Sequence, residues 1–333
     1  MYAKPRTPYE ERELRRISVG NRIIFGMIFV LFGSLFGWAK YVEYKELELR
    51  KNIAAQQAVE EQKLAEQKSK EMAAKVEKIM KTMVKCPAGD FIMGSPGGEK
   101  FHEIQHKVII SKHFYIGKYT VTQEQYESIM NSNPSRYRGA NNPVECVSWN
   151  GALDFCNKLN EVSDSIRPKG YKFSLPTEAQ WEYACRAGAT TTLNRDKDIS
   201  CEVGACPNLD EVGWYSCNSN KRSHPVGMKK PNAWDIYDMH GNVFEWCSDW
   251  CGEYFTENCI DPVGPEKGYT RIARGGCWAN DPKYCCSGYR GYATPFLVDG
   301  CVGFRLALVP DSQKIFKGGL PKSDHNLKNL NIK

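Results

Sequence analysis

The chain is poor in the residues that several chemistries require. It has six histidines, at 102, 106, 113, 224, 240 and 325, and none forms a helical His-x3-His pair. His102 and His106 are four apart, but Glu-Ile-Gln between them leads into a strand, so no zinc or iron spacing is present. No Gly-x-Ser-x-Gly turn exists, which removes the usual serine nucleophile elbow. A formal charge of +6 over 333 residues, without a dense Lys/Arg block, is no nucleic-acid footprint. Glycine, at 28 residues, is far below a collagen repeat. A hydrophobic content of 41% is too high for a disordered chain. Glycine and proline are missing altogether between Tyr44 and Met83.

Cysteine, by contrast, is abundant: 14 residues, running from Cys86 to Cys301. All of them follow a charge-free apolar run from Ile23 to Ala39. That run is at the lower length limit for a transmembrane helix. Arg22 and Lys40 bracket it, and Trp38 and Tyr41 sit where interfacial aromatics belong. The expectation is a single-pass membrane protein with a short cytoplasmic N-terminal segment, residues 1–22, and a periplasmic or extracellular domain, a setting that permits disulfides. A cleaved signal peptide and a buried core helix are the alternatives.

Residues 40–84 are rich in Ala, Glu, Gln and Lys and predict one helical stalk. Met72, Val76, Ile79 and Met83 form a 4-3-4 apolar seam, open to two readings: a solvated single helix or an oligomerising coiled coil. At Lys85 the composition changes, and residues 85–310 predict one large domain. Strands are expected from Val108 and from Phe114. Helices are expected after Thr122 with Gln125, after Ser148, and after Thr177 with Gln180, where Ser or Thr caps an apolar stripe. Beyond Gly188 periodicity fades into short strands and long loops, an α+β pattern. The polar tail, residues 311–333, predicts disorder.

Several stretches together resemble the sulfatase-modifying-factor family, the formylglycine-generating enzyme type. They include Pro87-Ala-Gly-Asp-Phe-Ile-Met-Gly94, Pro143-Val-Glu-Cys-Val-Ser-Trp149 and Leu175-Pro-Thr-Glu-Ala-Gln-Trp-Glu-Tyr-Ala184. Gly241-Asn-Val-Phe-Glu-Trp246, Arg274-Gly-Gly276 and Gly303-Phe-Arg305 complete the set. The resemblance implies a C-type-lectin-like α+β fold with little regular secondary structure. It also implies an oxidase that converts a sulfatase cysteine to formylglycine, using copper(I) held by two cysteines. Thiolates are soft ligands suited to that ion.

Laid on the family pattern, the second catalytic cysteine is Cys285, and the first position is Asn280. Asn supplies no thiolate. Cys277 stands where the enzymes carry serine, and Phe244 where they carry tryptophan; Cys277 and Cys286 are left as substitute ligands. The resemblance further implies a structural calcium ion at Asp238, Gly241, Val243 and Glu245, carboxylates plus carbonyls suiting a hard cation. Residues 277–302 are dense in Tyr, Cys and Gly, the composition of adaptable recognition loops. Trp278, Tyr284, Tyr289, Tyr292 and Phe296 are its candidate ligand contacts. The segment also resembles the variable region of retroelement-diversified binding proteins, with an ordinary divergent loop as the alternative. Three functions follow as expectations: a binding or structural module on this fold, the oxidase itself, or a diversified ligand-binding protein. The partners implied are a protein or peptide, such as a sulfatase or an envelope complex, and a second copy through the stalk.

Overall fold

The computed structural model describes residues 7–13, 15–18, 20, 35–95, 104–254 and 258–312. The chain divides into two compact units, Met1–Lys70 and Glu71–Lys333.

A single helix, α1 (Leu35–Met80), fills the Gly- and Pro-free stretch. Residues 23–34 of the apolar run lie outside the described residues, as do residues 313–333 of the polar tail. Among the described residues no helix is long and apolar enough to cross a membrane. The expected single-pass anchor, and the periplasmic or extracellular placement built on it, are therefore corrected. The physical reason is the composition of α1, which takes only the last residues of the apolar run and from Lys40 onward is mostly Glu, Gln, Lys and Ala.

The apolar seam at the end of α1 also has a different use from the one expected. Val76 and Ile79 are buried in the chain's own core, with Met72, Met80 and Met83 packed against the same cluster. Lys78 Nζ pairs with Glu124 at 2.8 Å and Lys75 Nζ donates to the Ser128 carbonyl at 3.2 Å. The seam is thus covered intramolecularly, and the second unit begins at Glu71, inside the helix. The stalk seam leaves no apolar stripe there for a coiled-coil partner.

Three capped helices follow. Thr122 caps α2 (Gln123–Met130) through a full capping box with Gln125, and Asn131 ends it in the left-handed region at φ 57°. Ser148 caps α3 (Trp149–Val162), which buries Ala152, Phe155, Cys156 and Leu159. Thr177 and Gln180 form the box of α4 (Glu178–Arg186), ended by left-handed Ala187 before Gly188. Every residue of α4 is buried. A fourth, one-turn helix is α5 (Pro207–Asp210).

Thirteen short strands make four sheets among the described residues. The first holds β1 (Met83–Cys86), β4 (Phe114–Gly117), β13 (Ala307–Pro310) and β5 (Tyr171–Ser174), in the order β1-β4-β13-β5 and antiparallel throughout. The second is centred on β8 (Phe244–Trp250). Antiparallel β10 (Arg271–Arg274) lies on one side with β11 (Arg290–Ala293) beyond it, and parallel β12 (Val302–Gly303) lies on the other. Strands β2 (Gly89–Met93), β3 (His106–Ile110) and β9 (Cys259–Ile260) form the third, and β6 (Gly213–Trp214) with β7 (His240–Gly241) the fourth. Aromatic contacts knit the helices to the chain end: Tyr126 stacks on Phe155 at 5.4 Å, and Phe155 meets Phe304 edge-on at 5.5 Å. Cys156, Cys185 and Cys247 are fully buried, as their motif positions predict.

Candidate functional site

Under the second sheet lies a core of buried ion pairs. Glu245, in β8, is 1% exposed, and its carboxylate meets four donors. Arg305 supplies Nε to Oε2 at 2.5 Å and Nη2 to Oε1 at 2.7 Å. Trp181 Nε1 donates to Oε2 at 2.6 Å, and the Thr120 hydroxyl to Oε1 at 2.7 Å. Beside it, on α4, Glu178 takes a bidentate pair from Arg290 at 2.6 and 2.7 Å, and Glu182 pairs with Arg274 and with Arg186. Arg271 lies between the rings of Trp149 and Trp250, 3.7 and 3.4 Å from their centroids. Buried charges survive only when paired and hydrogen-bonded like this.

This arrangement decides the calcium reading of the loop. A carboxylate has about four lone-pair sites, and those of Glu245 are all taken by protein donors, two of them from the Arg305 cation. Asp238 is buried in a left-handed conformation at φ 57°, and its Oδ2 accepts from the Gly227 amide at 2.7 Å. Burial pushes its carboxyl up to about 6. Gly241 fixes the backbone turn: its Cβ would fall 2.0 Å from the Trp214 carbonyl oxygen, and its φ is +84°. The Val243 side chain is core. Among the described residues no three His, Cys, Asp or Glu side chains group to hold a metal. Asp238 Oδ1 is buried without a hydrogen-bond partner, so Asp238 keeps an oxygen open to a cation while Glu245 does not, and the four residues as placed do not form the expected ligand set.

The segment of residues 277–302 straps over one end of the second sheet. It leaves β10 through Gly275 and Gly276, both at positive φ. It passes a 3-10 turn at Pro282–Cys285, returns as β11, and crosses to β12 on the far side of β8. Asn280 is buried and its side-chain oxygen accepts from the Cys277 amide at 2.9 Å, closing the turn after the Gly-Gly pair. Its own carbonyl accepts from the Ser216 amide at 2.9 Å. Cys285 is 0% exposed and packs with Leu193, Cys206, Leu209, Val212 and Tyr215. Burial pushes its thiol well up, away from the thiolate that copper needs. Position 280 thus holds a structural amide, and Cys285 is a core thiol. Cys277 is buried too, whereas Cys286 is half-buried with its thiol on the Lys283 carbonyl at 3.3 Å. With a buried amide at position 280, the two family positions do not supply the thiolate pair of a copper(I) site.

The aromatic candidates separate from this core. Phe296 is 58% exposed and Val298 60%. Trp278, Tyr284, Tyr289 and Tyr292 are half-buried. Tyr284 meets Tyr289 edge-on at 5.1 Å, and Trp278 meets Tyr137 edge-on at 5.4 Å. The Trp278 indole N–H is fixed on the Gly300 carbonyl at 2.9 Å. The two ring pairs are distinct contacts rather than one cluster. Tyr137 was not anticipated from sequence; it lies in a loop with no periodic signal.

One buried histidine was also missed. His240 accepts the Asn194 amide on Nε2 at 3.0 Å, which leaves Nδ1–H to donate to the Cys285 carbonyl at 2.8 Å. Burial holds the ring neutral, with its pKa lowered to about 4. It is a strut between β7 and the turn that carries Cys285.

Comparison with known proteins agrees with this architecture. Residues 68–309 match the sulfatase-modifying factor enzyme 1-like domain. Over 214 residues the chain is 31% identical to chaperone protein LppX of Paenibacillus barcinonensis, a match covering 50% of this chain and 70% of that protein. It is 34% identical over 179 residues to the formylglycine-generating enzyme of Streptomyces coelicolor, covering 50% of this chain and 52% of the enzyme. The chain thus spans about half the length of that enzyme. The solved structure of Treponema denticola variable protein 1 superposes with a TM-score of 0.61 at 30% identity, covering 68% of this chain and 95% of that one. On the match of its family domain and on a mixed helix-and-sheet fold shared with these relatives, the chain belongs to the sulfatase-modifying factor (FGE-sulfatase) family.

Proposed function

We propose that this chain is a binding module on the family fold, with the face of residues 277–302 as its contact surface for a protein or peptide. The observation that carries the reading is the division of labour inside that segment. The two positions that match the family's catalytic pair, Asn280 and Cys285, are buried and structural, while Trp278, Tyr284, Tyr289, Tyr292 and Phe296 reach the surface. Tyr and Trp give large, rigid, amphipathic contact area at low entropic cost.

The oxidase reading needs a thiolate pair, and an Asn in the first position removes one ligand of two. The test is direct. The purified chain is incubated with Cu(I) and a Cys-x-Pro-x-Arg peptide, and aldehyde is sought by mass spectrometry. No aldehyde is expected; turnover lost in Cys285→Ser overturns the binding reading.

The binding face has its own test. Peptides selected from a display library on the intact chain should lose roughly 30-fold or more in affinity when Trp278 and Phe296 are both changed to alanine, as expected where aromatic anchors dominate. Unchanged affinity places the contact surface elsewhere.

The likeness to a protein called variable supports a second reading, in which this face is diversified. The face lies between two buried frames, Arg274-Gly-Gly276 and Gly303-Phe-Arg305, that hold it in place. Sequencing the locus in independent isolates should then find substitutions concentrated at positions 278–301 and absent from those frames. Changes spread evenly along the domain would remove the idea.

A further inference from the structure

The segment that carries the aromatic face begins and ends on a cysteine, and the fold brings those two ends together. Cys277 follows the Gly-Gly turn after β10, and Cys301 immediately precedes β12. Both flank the same edge of the loop leading into β8. The Asn242 carbonyl accepts the amide of Trp278 at 2.9 Å, and the Phe244 amide donates to the Cys301 carbonyl at 2.7 Å. A second tie is the Trp278 indole on the Gly300 carbonyl. Trp278 and Cys301 are thereby held on residues two apart in one stretch of chain, and Trp278 is tied directly to Gly300. The two cysteines lie in one apolar cluster. Neither is catalytic in the site described above, and both thiols are free in this structure.

We propose that Cys277 and Cys301 are an oxidisable pair, joined by a disulfide that closes the base of the recognition segment into a covalent loop. The oxidant is a low-molecular-weight disulfide. Cys301, the more exposed of the two, loses its proton and attacks one sulfur of that disulfide, forming a mixed disulfide and releasing one thiolate. The Cys277 thiolate then attacks the Cys301 sulfur, forming the internal bond and releasing the second thiol. Two protein thiols give up two protons and two electrons, and the small disulfide is reduced to two thiols.

The neighbouring Cys277 thiol and then burial push the Cys301 thiol up, so the first step is slow at neutral pH and faster in base. Closing a loop of about 25 residues restricts the unfolded chain and stabilises the fold, more so than a short loop would. The inference about the crosslink does not depend on the binding reading. Only its consequence does: a closed base holds the aromatic face with less ordering left for a ligand to impose.

The test uses the full-length chain, reduced and freed of reductant, then incubated with oxidised glutathione near pH 8. Remaining thiols are capped with a maleimide, and a non-reducing digest is read by mass spectrometry. The expected product is a peptide pair joining Cys277 to Cys301, lighter by two hydrogens than the separate thiols. The melting temperature should rise by roughly 5–10 °C and return on adding reductant. In Cys301→Ser the linked pair is absent, the thermal gain is lost, and Cys277 is recovered capped. Full capping of both cysteines in the oxidised wild-type chain overturns the proposal, as does a reaction that stops at a glutathione adduct on Cys301. Because the decisive reading is made on the wild-type chain, a poorly folding variant does not obscure it.

Discussion

Glu245→Gln tests the charged core. The change keeps the size of the side chain and removes its charge. Whichever way the new amide faces, its NH2 group meets two donors, either Arg305 with Thr120 or Arg305 with Trp181. Arg305 is 0% exposed, and its remaining partners are the Gly117 and Tyr237 carbonyls, at 2.8 and 2.9 Å. A buried guanidinium left without its carboxylate costs about 3–5 kcal/mol. That is a large part of the roughly 5–15 kcal/mol that holds a domain together. Urea unfolding followed by tryptophan fluorescence reads it: with a slope of about 2–3 kcal/mol/M, the midpoint should fall by roughly 1–2 M. A loss below about 1 kcal/mol would refute the argument, since an exposed pair is worth no more. The double variant Glu245→Gln with Arg305→Met should recover part of the loss, because it removes the orphaned charge. A chelator applied to the wild-type chain should leave the midpoint where it is. A chelator-induced fall of the same size as the variant's would restore the calcium reading of this loop.

Three other changes probe different parts of the fold. Gly276→Ala forces φ +74° on a residue with a Cβ, which would lie 2.6 Å from Cys285 Sγ and 2.7 Å from the Tyr284 carbonyl oxygen. A loss of about 2–4 kcal/mol is expected by thermal melting, from strain plus overpacking; a neutral result would mean that the turn yields. Asp249→Asn tests a buried carboxyl that burial and neighbouring Glu178 push up to about 7 from an ordinary 3.8. A raised folded pKa means stability that is complete below about 4 and lost as pH rises through 7. The variant should therefore gain on the wild type between pH 5 and 8, by up to roughly 4 kcal/mol, and a pH-independent difference would contradict the assignment. Ile79→Ala should cost about 2–5 kcal/mol by opening a core cavity, with a melting temperature independent of protein concentration. Concentration dependence would return the seam to an interface between chains.

What the sequence makes legible is local. Thr122, Ser148 and Thr177 begin helices where expected because a cap needs only residues three positions apart. The strands expected from Val108 and Phe114 are present as β3 and β4, but most of the other short strands carry too little alternation to be read, and β8 is buried on both faces, so its Glu, Ser and Asp look like surface positions. Charge patterning misleads on α4 for the same reason: Glu178, Glu182 and Arg186 mark no solvent face, since their partners arrive from residues 274 and 290 and from within the helix. The reading of Glu245 as a calcium ligand fails because its donors come from positions 120, 181 and 305, a convergence that spacing along β8 does not encode. The missing thiolate at Asn280 was legible, but the use of that side chain to close a turn was not. The aromatic segment was located by composition, and only the fold separates its exposed Phe296 from its buried Cys285.

The order β1-β4-β13-β5 has a consequence for how the molecule is made. The last strand of the domain, β13, sits inside the first sheet, between two strands that precede it by far in the chain. Ribosomal synthesis delivers β4 roughly 190 residues before β13, an interval of about 10–40 s at ordinary elongation rates. Until then β4 and β5 have no common neighbour, and each presents an unpaired edge to the cell. A nascent chain in this state is open to chaperones and to pairing with other strands. Translation arrest or proteolysis that removes only the residues after Arg305 would deprive the sheet of its centre rather than of its margin.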